Sequence, residues 1–258
     1  MGSTEQDPLR RFSSRVDDYV RYRPTYPATL LDFLGARAGL GPGCAVADVG
    51  AGTGIFTRLL LATGARVFAV EPNADMRRAA EAESSGDPRF VSVSGKAEAT
   101  TLPDHSVALV TCAQAFHWVD PGLMRQECRR ILAPNGWCAI IWNTAAPGDS
   151  AFGAGYEKIK ADFGTDFKSI RHESIDKKTT FNAFFGHEGW LERRFDNFQT
   201  LDYPSLKGRL LSSSYAPPAG HPGHEPMLAA LQELFDRTQQ NGNVRMDYVT
   251  ELFLGQFK

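Results

Sequence analysis

Five short apolar runs punctuate the first half of the chain: Val46-Ala47-Asp48-Val49, Arg66-Val67-Phe68-Ala69-Val70, Phe90-Val91-Ser92-Val93, Val107-Ala108-Leu109-Val110 and the stretch 137–142. Runs of this length without polar alternation are what strands buried on both faces look like. Between them the apolar positions recur at helical spacing. Ile55, Phe56, Leu59 and Leu60 share one face and are closed off by Gly64, where a left-handed C-cap is wanted. A helix is read over 74–85, and Leu123, Met124, Cys128, Ile131 and Leu132 mark another that Pro134-Asn135-Gly136 stops. Strand and helix alternate through residue 142, which predicts an α/β fold: a doubly wound, mostly parallel sheet with right-handed crossovers and helices on both faces.

The flanks read differently. Residues 8–38 form two helical stretches broken by Arg23-Pro24-Thr25-Tyr26-Pro27, an N-terminal helical flap. After Asn143 aromatic and charged residues mix without strand periodicity to about residue 190, the pattern of a helical cap in which Phe152, Tyr156, Phe163, Phe167, Phe181, Phe184 and Phe185 build the interior. Ala216 to Gly223 is a turn-rich loop. From Val244 onward apolar and polar residues alternate after the turn signal Asn241-Gly242, which predicts a final antiparallel edge strand. The expected organisation is therefore one domain, 1–258, with a flap (8–38), a ligand-binding core (44–143), a cap or substrate insertion (144–215) and a C-terminal helix and edge strand completing the sheet (216–258).

Composition narrows the function classes. The 258 residues are 42% hydrophobic and 22% charged with a net charge of −2, which suits a packed globular core and offers no phosphate-neutralising surface. Nucleic acid is not an expected partner. No apolar run approaches the roughly 20 residues that a membrane span needs, and the polar start Met1 to Asp7 lacks the apolar core of a secretory signal, so a cytoplasmic protein, monomer or homodimer, is expected. Cys44, Cys112, Cys128 and Cys138 lack C-x-x-C spacing and read as reduced core thiols. His221 and His224 stand in a Pro/Gly loop without further ligand spacing, so no metal is expected.

The chemistry concentrates at strand ends. Asp48-Val49-Gly50-Ala51-Gly52-Thr53-Gly54 links the first strand to its helix, and a loop so rich in glycine permits close approach of backbone to a ligand. Glu71 closes the second strand, where a carboxylate can accept hydrogen bonds from both hydroxyls of an adenosine ribose. A dinucleotide fingerprint would place Gly or Ala at the last motif position, which is Ile55 here. The G-x-G-x-G spacing with Asp48 before it instead resembles motif I of class I S-adenosylmethionine-dependent methyltransferases.

Further segments extend the resemblance over about half the chain. Val70-Glu71-Pro72-Asn73 is similar to the family's second motif, with Met76 at the position that packs beside adenine. Gly95-Lys96-Ala97-Glu98 and Leu102-Pro103-Asp104 resemble its adenine-side loop. Ala113-Gln114-Ala115-Phe116-His117-Trp118 resembles the segment facing the methionine moiety and the substrate, and Arg129 to Gly136 its R-x-L-k-P-G-G turn. Tyr19 to Pro27 is similar to the flap of a subgroup around trans-aconitate methyltransferases. The sequence departs at Lys96, where many members carry the Asp that reads the adenine amino group; Glu98 or backbone would take that task.

The resemblance implies S-adenosylmethionine as cofactor, S-adenosylhomocysteine as product and a small-molecule acceptor, with carboxylate or hydroxyl preferred. It implies cofactor contacts from Tyr19, Arg23, Asp48, Gly50, Ala51, Gly52, Thr53, Gly54, Glu71, Pro72, Met76, Ala97, Glu98, Ala113, Gln114 and Trp118. The residue chemistry leaves alternatives beside it. His117 reads as a general base or as a wall of the site, Gln114 as a ligand contact or a backbone brace, Tyr19 and Arg23 as partners of the methionine carboxylate or as a solvated flap. A nicotinamide oxidoreductase and a cofactor-binding protein without catalysis are the competing functions.

Overall fold

The computed structural model describes residues 22–146, 150–165, 176–187, 189–213 and 215–257. Tyr19 and the first helical stretch expected in 8–21 lie outside them, as does Phe167. The second flap helix is α1 (Ala28–Ala38), entered through Pro27 and closed by Gly39 in the left-handed region.

The predicted alternation follows: β1 (Ala45–Val49), α2 (Ile55–Ala62), β2 (Arg66–Val70), α3 (Ala74–Ser84), β3 (Phe90–Val93), β4 (Val107–Ala113), α4 (Pro121–Ile131) and β5 (Leu132–Ala145). Then come α5 (Ala151–Phe163), α6 (Lys177–Phe185), β6 (Trp190–Leu201), α7 (Tyr203–Leu211), α8 (His224–Thr238) and β7 (Val244–Gly255). The seven strands lie in the order β3-β2-β1-β4-β5-β7-β6. β1 pairs in parallel with β2 and β4, β2 with β3, and β4 with β5. One strand of the sheet is antiparallel. The order reverses between β1 and β4, the place where open α/β sheets leave a crevice at their strand C-termini.

Three expectations need correction. The final strand does form after a turn in which Asn241 and Gly242 both have positive φ, but β7 lies inside the sheet and the edge is β6. β6 falls within the expected cap or substrate insertion 144–215, and Glu192, Arg193, Arg194 and Asp196 give it the charge of an edge strand. Pro134-Asn135-Gly136 does not form a free turn; it is absorbed into β5 as an irregularity in the pairing with β4, with Asn135 at φ 64°.

The chain divides into two compact units. The sheet unit comprises 25–143, the described part of 175–195, and 250–257. Two apolar clusters occupy the sheet's faces, one around Val49, Val110, Ile140 and Phe116, the other around Val46, Leu60, Leu109 and Ile141. Phe181, Phe184 and Phe185 of α6 belong to the first of these, with Phe181 stacked on Phe253 at 4.2 Å between centroids. The expectation that they share a cap interior with Phe152 and Tyr156 is therefore corrected. The four cysteines are buried free thiols, and burial pushes the pKa of Cys112 and Cys138 well up.

The second unit takes the described parts of 1–24, 144–174 and 196–249. Its core joins Phe152, Tyr156 and Ile159 of α5, Leu206 and Leu210 of α7, Leu231 and Leu234 of α8, and Val244, Met246 and Tyr248 of β7. Among the described residues no helix is long and apolar enough to cross a membrane.

Candidate functional site

The loop from β1 to α2 owes its path to glycine. Gly50, Gly52 and Gly54 have φ of 68°, 57° and 80°, a region that costs L-residues with a Cβ. At Gly50 space is also short: a Cβ there would stand 2.5 Å from the Cβ of Ala115, in the segment after β4. The loop is drawn onto β2 by bonds from the Gly50 and Ala51 N–H groups to the Val70 carbonyl, at 2.8 and 3.1 Å. Gly54 then opens α2.

Glu71, at the end of β2, turns its carboxylate onto this loop. Oε2 accepts from the Gly52 N–H at 2.9 Å and Oε1 from the Asn73 N–H at 2.8 Å. Each carboxylate oxygen has two lone-pair sites, so one on each oxygen remains for a pair of ligand hydroxyls. Burial raises the Glu71 pKa, opposed by the two N–H bonds and by Arg77. Arg77 in turn donates to the carbonyls of Glu71 and Pro72. Asn73 caps α3 by accepting from the Asp75 and Met76 N–H groups, which brings Met76 to the loop: its sulfur is 3.8 Å from where a Gly52 Cβ would be.

Asp48 belongs to the scaffold under the loop. Its carboxylate is buried and accepts from Thr57 Oγ1 of α2 at 2.6 Å and Thr111 Oγ1 of β4 at 2.8 Å. Burial pushes its pKa up to about 6 against the pull of both hydroxyls, with a further push from Glu71. It thus ties β1, α2 and β4 together and sets the loop's exit. Thr57 and Thr111 escaped sequence reasoning; a buried Asp in an apolar run was the available signal, since it has to find donors. Thr53 is buried too, and its Oγ1 has no hydrogen-bond partner among the described residues.

The remaining predicted residues are placed as follows. Ala97 is buried and Lys96 exposed, both just before Glu98, whose Oε1 accepts the Asp120 N–H at 3.0 Å. Ala113 ends β4. Gln114 sits at φ 60°, unusual for a residue with a Cβ, and its side-chain amide donates to the Asn143 carbonyl at 3.0 Å. Non-glycine residues in this region cluster at functional sites. Phe116, His117 and Trp118 form a single 3-10 turn; Phe116 is packed against Trp142, Phe181 and Phe184, while His117 lies 4.6 Å from Trp118, whose ring is well exposed. Arg23 belongs to the second unit, where its guanidinium donates to the Ser212 carbonyl at 2.9 Å.

The glycine loop, Glu71, Pro72 and Met76, the 97–98 segment and the 113–118 segment therefore come from the ends of β1 and β2 and from the segments after β3 and β4, on the sheet's switch point. Residues 47–140 match the family model described as a methyltransferase domain. That span contains each of these segments. An uncharacterized methyltransferase of Mycobacterium tuberculosis is 39% identical over 144 residues, 56% of this chain and 56% of that protein. The chain thus spans about half the length of the curated relatives it matches.

The fold likeness reaches further. A solved structure from Anaeromyxobacter dehalogenans superimposes with a TM-score of 0.65 at 22% identity, covering 91% of this chain and 98% of that one. A SAM dependent methyltransferase from Aquifex aeolicus gives 0.52 at 19% identity, covering 76% and 92%. The Rossmann-like methyltransferase fold is common to all of them.

Proposed function

We propose that the protein is an S-adenosylmethionine-dependent methyltransferase acting on a small-molecule acceptor. One observation carries this reading: the Glu71 carboxylate is pinned by Gly52 and Asn73 at the mouth of a positive-φ glycine loop, with an acceptor site left on each oxygen. The groups present fit an adenosyl amino acid, with a carboxylate for a vicinal diol, a backbone that no Cβ obstructs, and a buried Thr53 hydroxyl still short of a partner.

In this reading Glu71 holds the ribose, Gly50 to Gly54 and Pro72 line it, Met76, Ala97 and Glu98 lie beside the adenine, and Ala113, Gln114 and Trp118 border the methionine end. When bound, the cofactor supplies a methyl group already activated by its sulfonium. The protein's contribution is then alignment of the acceptor and exclusion of water. A carboxylate acceptor needs no proton removed; from a hydroxyl acceptor His117 takes the proton. The similarity of Tyr19 to Pro27 to the trans-aconitate methyltransferase subgroup favours a small organic acid or alcohol, handled in the cytoplasm.

The direct test supplies methyl-labelled S-adenosylmethionine with a metabolite extract and identifies the labelled product. A labelled small molecule is expected; label found in nucleic acid or nowhere would overturn the reading. His117→Ala separates its two roles: a hydroxyl acceptor predicts turnover reduced about 100-fold with S-adenosylhomocysteine affinity unchanged, and undiminished turnover would make His117 a wall residue.

A further inference from the structure

The second unit carries a cation that its described residues do not neutralise. Arg209 of α7 is only partly accessible, yet among the described residues no Asp or Glu comes within ion-pair reach of it. Among the described residues its bonds go to neutral hydroxyls at long distances: Nε to the Tyr248 hydroxyl at 3.4 Å and one terminal nitrogen to Ser213 Oγ at 3.2 Å. Five N–H donors on a guanidinium leave most of the fork unengaged. A cation so enclosed is costly to keep without an anion, and two weak bonds to hydroxyls do not offset that.

The neighbours suit an anion. Tyr156 of α5 is 5% exposed, and its hydroxyl has no hydrogen-bond partner among the described residues. It shares a core cluster with Tyr248, the residue to whose hydroxyl Arg209 donates. Burial keeps the Tyr156 phenol protonated well beyond its ordinary range, so it stays a donor. Tyr215 and Tyr248 also sit in the Arg209 field, and the Tyr248 hydroxyl donates to Gln199 at 2.8 Å, which orients its oxygen. A planar guanidinium beside a neutral hydroxyl donor matches a carboxylate, which takes the fork with one or both oxygens. A phosphate dianion would want more positive charge than this.

We propose that Arg209 and Tyr156 form an anion site in the second unit that binds the carboxylate of an organic acid.

The test measures melting temperature with benzoate, succinate and sulfate at constant ionic strength, with benzamide and succinamide as neutral counterparts, on the wild type and on Arg209→Met and Tyr156→Phe. A carboxylate should stabilise the wild type where its amide does not. Arg209→Met should abolish that shift and, having lost an uncompensated charge, melt no lower than the wild type without additive. Tyr156→Phe, the milder change, should weaken carboxylate affinity about 3- to 10-fold, the loss of one hydrogen bond. Equal shifts by acids and amides, no shift by either acid, a shift by sulfate alone, or a destabilised Arg209→Met that keeps the shift would each overturn the site. Calorimetry with S-adenosylhomocysteine separates the possible sources of the carboxylate. Unchanged affinity in Arg209→Met supports a separate organic acid, whereas a loss of about tenfold or more would overturn that assignment in favour of the cofactor's own carboxylate. A wild type that binds benzoate or succinate but not S-adenosylhomocysteine would sink the methyltransferase reading and leave the anion site standing.

Discussion

The site proposed in the sheet unit is built from backbone: Gly50, Gly52, Gly54 and the N–H groups of Gly52 and Asn73, with one carboxylate, Glu71, held among them. The site proposed in the second unit is built from side chains that α5, α7 and β7 bring from distant parts of the chain, Tyr156, Arg209 and Tyr248. The first kind of site lies where one strand hands over to the next helix, so its parts are close in sequence and their spacing is constrained. The second kind exists only once helices have packed. A motif can announce the former and cannot announce the latter.

The sharpest way to break this contrast is Gly50→Val. A Cβ 2.5 Å from that of Ala115, at φ 68°, should lower stability by about 3 kcal/mol and cut S-adenosylhomocysteine affinity by more than about 100-fold. Carboxylate binding by the second unit should survive wherever the variant is folded. Urea unfolding and calorimetry check both parts, and wild-type affinity with valine in place would show that the loop's path is not what binds.

Asp48 tests whether the scaffold under the loop is distinct from the loop itself. Its folded-state pKa of about 6 lies above the ordinary value of 3.8, so the folded state holds the proton more tightly than the unfolded chain. The stability this brings is fully present below about pH 4 and is lost as the pH rises through about 6, a span worth about 3 kcal/mol. Glu71, also raised, adds to the same slope. Asp48→Asn should flatten the decline between pH 4 and 6 to the part due to Glu71. Denaturation midpoints across that range measure it, and an unchanged slope would contradict the buried clamp with Thr57 and Thr111.

The smallest effect belongs to Asn73→Ala, which removes the α3 cap at a cost of about 1 kcal/mol. Because Met76 follows that cap, cofactor affinity should fall by no more than about threefold, measured by the same titration. A larger loss would give the cap a direct part in binding.

The same contrast explains what the sequence made legible. Arg66–Val70 and Phe90–Val93 were read with the bounds they have in the structure, because strands buried on both faces are continuous apolar runs. β6 was missed because an edge strand carries charge where a buried one cannot, and β7 was put at the edge because strand order is settled by packing and leaves no local trace. Phe181, Phe184 and Phe185 look in sequence like Phe152 and Tyr156, yet pack in the other unit. At the site Gly50 to Gly54 and Glu71 were legible by spacing. The partners of Asp48 were not, since the Thr57 and Thr111 hydroxyls reach it only after α2 and β4 are in place. Gln114 was identified as a site residue, but its left-handed backbone and its bond to Asn143 carry no sequence signature.

The measurement closest to the central claim is calorimetric titration of S-adenosylhomocysteine and NAD into the wild type and Glu71→Ala. The account predicts binding of S-adenosylhomocysteine in preference to NAD, weakened in the variant by about 1–3 kcal/mol, or roughly 5- to 150-fold. Equal affinity in the two proteins, or a wild type that prefers NAD, would contradict it.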